Sequence, residues 1–79
     1  MLSFNLSSVD DAGKLTRMCE KYKDQMEIDI ICGRQTIDAY SILGVYSLVG
    51  HVVSIEPQTD DTDLMEIFEE DLERIKNEH

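Results

Sequence analysis

Asp38-Ala39-Tyr40-Ser41-Ile42-Leu43-Gly44-Val45-Tyr46-Ser47-Leu48 is the stretch whose reading decides the fold. Ser41 suits a helix N-cap, and Ile42, Val45 and Tyr46 recur at helical spacing. The spacing predicts a short helix of about two turns, ended by Val49-Gly50. A glycine inside a helix costs roughly 1 kcal/mol against alanine, so Gly44 marks close packing.

Strand patterns flank this helix. Upstream, Met26, Ile28, Ile30 and Cys32 alternate with Glu27 and Asp29, a half-buried strand. Cys32-Gly33-Arg34 is a turn in which Gly33 can take a positive φ. Arg34 to Ala39 then pairs back as the third strand, with Ile37 as its best inward residue. Downstream, His51 to Glu56 reads as a fourth strand stopped by Pro57.

The two ends of the chain complete the pattern. Leu2, Phe4 and Leu6 alternate with Ser3, Asn5 and Ser7 as a first strand. A polar loop from Ser8 to Gly13 offers Asp10 and Asp11 as helix caps. Leu15, Met18, Cys19 and Tyr22 follow at i, i+3, i+4, i+7, the apolar face of a helix broken by Asp24-Gln25. Near the C-terminus, Thr59 to Asp63 is dense in capping residues. Leu64, Met65, Phe68, Leu72 and Ile75 then form an apolar stripe, with acids at its start and Arg74 and Lys76 near its end, as the helix dipole favours. The order is β-α-β-β-α-β-α. It predicts a single α+β domain over 1–79, an open-faced β-sandwich with a four-stranded antiparallel sheet and three helices on one face.

Composition narrows the function. The 79 residues carry 17 acids against 7 lysines and arginines, a net charge of −10. That argues against nucleic acid and anionic membrane surfaces, which need positive charge. It leaves two readings of the acid: solubility, or a partner with a basic patch. A chain this short buries only about 60% of its unfolded surface and has little room for a deep catalytic cleft. The expectation is a binding module, not an enzyme, with no cofactor. Cys19 and Cys32 lie in apolar runs and read as buried, reduced thiols. No cysteine–histidine set has zinc spacing, and Asp60-Asp61-Thr62-Asp63 lacks the glycine and terminal glutamate of a calcium loop, so no metal site is expected. No apolar run approaches the roughly 20 residues of a membrane span, and no basic leader opens the sequence, so a cytoplasmic location is expected.

The layout, with its short helix opening Ser41-Ile42, resembles the HPr family, the small phosphocarriers of the bacterial sugar phosphotransferase system. The run Asp38 to Leu48 carries the resemblance most specifically. The family has lysine before the first serine, then Ser-Ile-Met-Gly-Val-Met-Ser-Leu. The resemblance implies that Ser41 corresponds to a serine phosphorylated by a regulatory kinase in many Gram-positive bacteria. An N-cap role for Ser41 is the plainer alternative, and both can hold. It also implies that Ile42, Leu43 and Tyr46 form a docking patch for protein partners, either of the phosphotransferase system or regulatory.

The departures lie at the carrier site. The family sets its phospho-accepting histidine in Gly-(Leu/Ile)-His-(Ala/Thr)-Arg-Pro. The matching stretch here is Val9-Asp10-Asp11-Ala12-Gly13-Lys14. The histidine position falls on Asp11 or Asp10, the arginine position on Gly13 or Ala12, and the proline is absent. Neither His51 nor His79 is expected near this loop, and no arginine is expected beside it. Tyr40 replaces the family lysine, and the loop between Leu48 and Gly50 is short for the family. These residues read as a degenerate carrier site of Asp10, Asp11 and Gly13. The function implied is an HPr-like regulatory or protein-binding module. The alternatives are a divergent phosphocarrier whose acceptor is Asp11 or His51, and a Ser41-phosphorylated switch.

Overall fold

The computed structural model describes residues 2–78. Strand β1 (Leu2–Leu6) leads into helix α1 (Val9–Glu20), then strands β2 (Glu27–Cys32) and β3 (Gln35–Asp38). Helix α2 (Ile42–Tyr46), strand β4 (His51–Gln58) and helix α3 (Thr62–Lys76) follow. This is the element order that the hydropathy pattern predicts. The strands form one antiparallel sheet in the order β1-β4-β2-β3. Phe4, Leu6, Ile28, Ile30, Val53 and Ile55 are buried, while Ser3, Asn5, Glu27 and Glu56 are exposed. One sheet face therefore carries the core and the other faces water, an α+β open-faced sandwich. Burying a side chain the size of Leu15, Phe68 or Leu72 contributes roughly 2 kcal/mol, and these residues hold α1 and α3 to the sheet.

Several boundaries differ from the sequence expectation. Ser8 caps α1, its hydroxyl accepting from the Asp11 N–H at 3.2 Å, so Asp10 and Asp11 sit inside the first turn. There they complement the helix dipole without capping it. Helix α1 also ends at Glu20, before Asp24-Gln25. Its last turn tightens as the N–H groups of Lys21 and Tyr22 donate three residues back, to Met18 and Cys19. The tightened turn swings Tyr22 into the core against Phe68, with ring centroids 5.2 Å apart at 73°.

Strand β4 runs through Pro57 instead of stopping there. The ladder explains why. The Ile28 carbonyl accepts from Ala39 N–H on the β3 side, so Ile28 turns its peptide groups away from β4. Its β4 partner is Pro57, whose nitrogen therefore points away from β2. On that other side, the β1 pairing is described only as far as Leu2 opposite Ile55. No ladder bond described here is lost to the missing N–H.

Two further elements are shorter than expected. Gln35 pairs with Cys32, so Arg34 belongs with Gly33 (φ 59°) to a two-residue turn. Helix α2 has only five residues, because its exit tightens as Leu48 N–H donates to Val45 and Val49 N–H to Tyr46. Ile37 is half-buried against the core, as its inward assignment requires. Cys19 is buried, and burial raises its thiol to about 12. Cys32, expected to be buried as well, is only half-buried at the end of β2.

One buried acid has no counterpart in the sequence expectation. Asp71 is 8% exposed on α3. Its carboxylate accepts a short hydrogen bond from the Tyr22 hydroxyl. It also pairs with Lys21 at 3.3 Å and Arg74 at 2.6 Å. Burial pushes this carboxyl up, but Tyr22, Lys21 and Arg74 together outweigh that and hold it below the ordinary value of 3.8.

Two outcomes follow. A Cβ at Gly44 would stand 2.7 Å from Ile37 Cγ2, on a stiff β-branched side chain. Overpacking of that kind costs about 2 kcal/mol, against about 1 kcal/mol of helix propensity gained. Gly44→Ala should therefore lower the Tm by roughly 5 °C in a thermal melt. For Asp71, a depressed folded-state pKa means stabilisation that is present above the unfolded value. It is lost as pH falls through the folded value. Asp71→Asn should be less stable by about 1–2 kcal/mol at neutral pH, and the gap to wild type should close as pH falls below the ordinary carboxylate value of 3.8. Urea unfolding across that range measures it, and a pH-independent gap would contradict the account.

Candidate partner-binding site

Most of the residues singled out in the sequence sit on or at the edge of two adjoining elements, α1 and α2; His51 opens β4. Gly13, buried in α1, is where the two elements meet. A Cβ there would lie 3.2 Å from the Tyr46 hydroxyl of α2 and 3.1 Å from an Arg17 guanidinium nitrogen. The missing side chain leaves the space that Tyr46 and Arg17 occupy. Sequence spacing placed no arginine beside this loop. Arg17 nevertheless reaches back one helical turn over Gly13, because residues i and i+4 share a helix face.

The two aspartates are separated by helix geometry. Asp11 lies about 200° around α1 from Gly13, away from α2. Its surroundings are Phe4, Asn5 and Ser7 on one side and Ile75 and Lys76 of α3 on the other. The Ser7 hydroxyl donates to it at 2.6 Å and holds its carboxyl below the ordinary value. Burial opposes this less strongly than Ser7 favours it, and the Ser8 hydroxyl and Lys14 add to the lowering. Asp10 is exposed and lies within about 60° of Gly13 on the helical wheel. On the wheel Asp10, not Asp11, shares a face of α1 with Gly13 and Arg17.

Helix α2 presents its apolar residues outward. Ile42 is 59% exposed and Leu43 86%, while Val45 is buried and Tyr46 half-buried. Val9, one turn before Gly13 on the same side of α1, is 61% exposed. The sequence reading did not single out Val9; its place at i−4 from Gly13 is the only signal for it. Ile42 also borders a shallow cleft of about 260 Å³ with Thr16, Arg17, Glu20 and Tyr40.

Ser41 occupies the N-cap position of α2 without making a side-chain capping bond. Position and hydroxyl are therefore separable: the backbone turn is made by Ser41 N–H donating to Asp38 O and Ser41 O accepting from Val45 N–H. Tyr40 is anchored inward. Its hydroxyl donates to the Met26 carbonyl at 2.7 Å, and burial raises its phenol to about 12.

Strand register relocates one histidine. His51 pairs with Leu6, two residues before the Ser8 cap. By alternation with Val53 and Ile55 it belongs to the helix-side face, yet it is exposed, where the sheet ends near the start of α1. Its Cα partner Leu6 is the last residue of β1, and Ser7 and Ser8 separate that residue from α1. His79 lies outside the described residues. Among the described residues, no group of three or more histidine, cysteine or acidic side chains is placed to hold a metal ion. Nor is any helix there long and apolar enough to cross a membrane.

No family model matches the chain, and no curated protein sequence does. Among solved structures it is similar to the crystal structure of HPr-C-His from Thermoanaerobacter tengcongensis. The likeness has a TM-score of 0.68 and covers 99% of this chain and 96% of that one, at 17% sequence identity. Such a likeness is one of architecture: the chain has the HPr-like fold.

Proposed function

We propose that this chain is a protein-binding module on the HPr-like scaffold, not a histidine phosphocarrier, and that it engages its partner through the face formed by α2 and the start of α1. The observation that carries the reading is the outward display of Ile42 and Leu43 beside Val9. Exposed apolar side chains on adjoining elements favour a partner over solvent, because covering each contributes roughly 2 kcal/mol. Asp10 edges this face, and the chain is strongly acidic, so the partner is a protein whose apolar contact surface is bordered by lysine or arginine. Resemblance to the family makes a phosphotransferase-system or regulatory protein the natural candidate. Ser41, exposed and free of a capping bond, is the hydroxyl on this face where a phosphate would change docking.

The carrier function is argued against by residue type. Asp10 and Asp11 stand where the family keeps its imidazole, and Asp11 is already engaged by Ser7 and turned toward α3. Incubation with phosphoenolpyruvate, Enzyme I and magnesium should leave the protein unlabelled.

One observation favours a second reading, a divergent carrier that uses His51. His51 is exposed and pairs with Leu6, the last residue of the strand that leads into α1, which supports this reading. On that reading the same incubation gives acid-labile label that His51→Ala abolishes. Label that survives His51→Ala but yields to hydroxylamine would point to Asp11.

The docking face has its own test. Leu43→Glu should keep the wild-type Tm, because the side chain is 86% exposed. It should weaken binding to a captured partner at least about tenfold, as the loss of an apolar anchor does. Equal capture by both proteins would place the docking face elsewhere.

A further inference from the structure

Four of the seven basic residues in this acidic chain line one groove between α1 and α3: Lys14, Arg17, Lys21 and Arg74. The groove has a volume of about 300 Å³, with Met18 and Ile75 as its apolar lining and Asp71 and Glu78 as its only acids. It flanks α1 on the side away from α2, so it is separate from the docking face, and Arg17 stands on the ridge between them.

The arrangement is a built one. Lys14, Arg17 and Lys21 recur at i, i+3, i+7, a row roughly 10 Å long on one face of α1. Asp71 pins Lys21 and Arg74 from beneath, at 3.3 and 2.6 Å. An ammonium has three donors and a guanidinium five, so both keep donors to spare for a ligand. Lys14 is held only loosely, 3.8 Å from the half-exposed Glu78. Arg17 has no ion-pair partner among the described residues.

We infer that this groove binds a small molecule carrying two or more phosphate groups. Its size decides between a small ligand and a macromolecule. Outside the groove only three basic residues face the remaining acids, so an extended polyanion would meet repulsion wherever it left the cationic row. A ligand confined to the groove is shielded from most of those acids, because the Debye length is about 8 Å at physiological salt. A volume near 300 Å³ sits at the small end of ligand sites, which run from roughly 300 Å³ upward. Phosphate is preferred to carboxylate by charge density. Each phosphate group brings up to two charges and three acceptor oxygens. It can therefore displace the single Glu78 carboxylate from Lys14 and satisfy Arg17 at once.

The test is a titration of the isotope-labelled full chain, followed by amide NMR in about 150 mM salt, with pyrophosphate, tripolyphosphate and citrate as probes. Pyrophosphate or tripolyphosphate should saturate below about 1 mM, with shifts confined to Lys14–Lys21 and Asp71–Glu78. Arg17→Gln and Lys14→Gln should each weaken binding at least fivefold, while Lys23→Gln, outside the groove, should not. Absence of saturation by about 10 mM, or shifts centred on another surface, would overturn the site. So would equal weakening by Lys23→Gln. Citrate binding as tightly as tripolyphosphate would overturn the phosphate assignment.

Discussion

Helix α1 has a neighbour on each flank, and the contact that holds it in place is the engagement of Tyr22 with Phe68 and Asp71. The ring of Tyr22 meets Phe68 edge-on, and its hydroxyl donates to a carboxylate that also holds Lys21 and Arg74. This joins the C-terminal end of α1 to the middle of α3. A carboxylate in that position is costly unless its oxygens are satisfied, and here both have partners. With that end of α1 secured to α3, the other end lies against α2, where Gly13 lets Tyr46 approach. The groove on one flank and the proposed docking face on the other follow from the same placement.

Periodicity was enough to read the architecture. Alternation at Phe4, Leu6, Ile28, Ile30, Val53 and Ile55 survives in the structure because each residue fills the single sheet–helix interface. Element ends were less legible, since they depend on partners distant in sequence. Pro57 stays in β4 because the ladder turns its nitrogen away from β2, a fact of register that no local pattern contains. Tyr22 leaves the regular helix because Phe68 and Asp71 lie 46 and 49 residues away in sequence but next to it in space.

The candidate site was partly legible. Ile42 and Leu43 could be named because a resemblance singled them out, and the structure leaves them exposed. The positions of Arg17 and Val9 and the pairing of His51 with Leu6 were not foreseen. The first two depend on which face of α1 turns toward α2, and the third on pairing between strands 45 residues apart. Asp10 and Asp11 look equivalent in sequence and are not, because a helix separates neighbours by about 100°. Only one of them can share a face with Gly13.

A scaffold that keeps its architecture at 17% identity to another is governed by what it buries. Its core tolerates exchange among apolar side chains of similar volume, so sequence can drift while the fold stays. The exposed residues at the start of α1 are under no such constraint. Asp10 and Val9 are exposed, and Asp11 finds a partner within its own turn in Ser7. Substitution at such exposed positions costs the fold almost nothing, about half a kcal/mol. Ala12 and Gly13 are the exceptions, both buried, Gly13 where Tyr46 and Arg17 converge. An arginine at that position would have to displace both, so the docking geometry between α1 and α2 and the absence of an arginine at Gly13 are one structural fact.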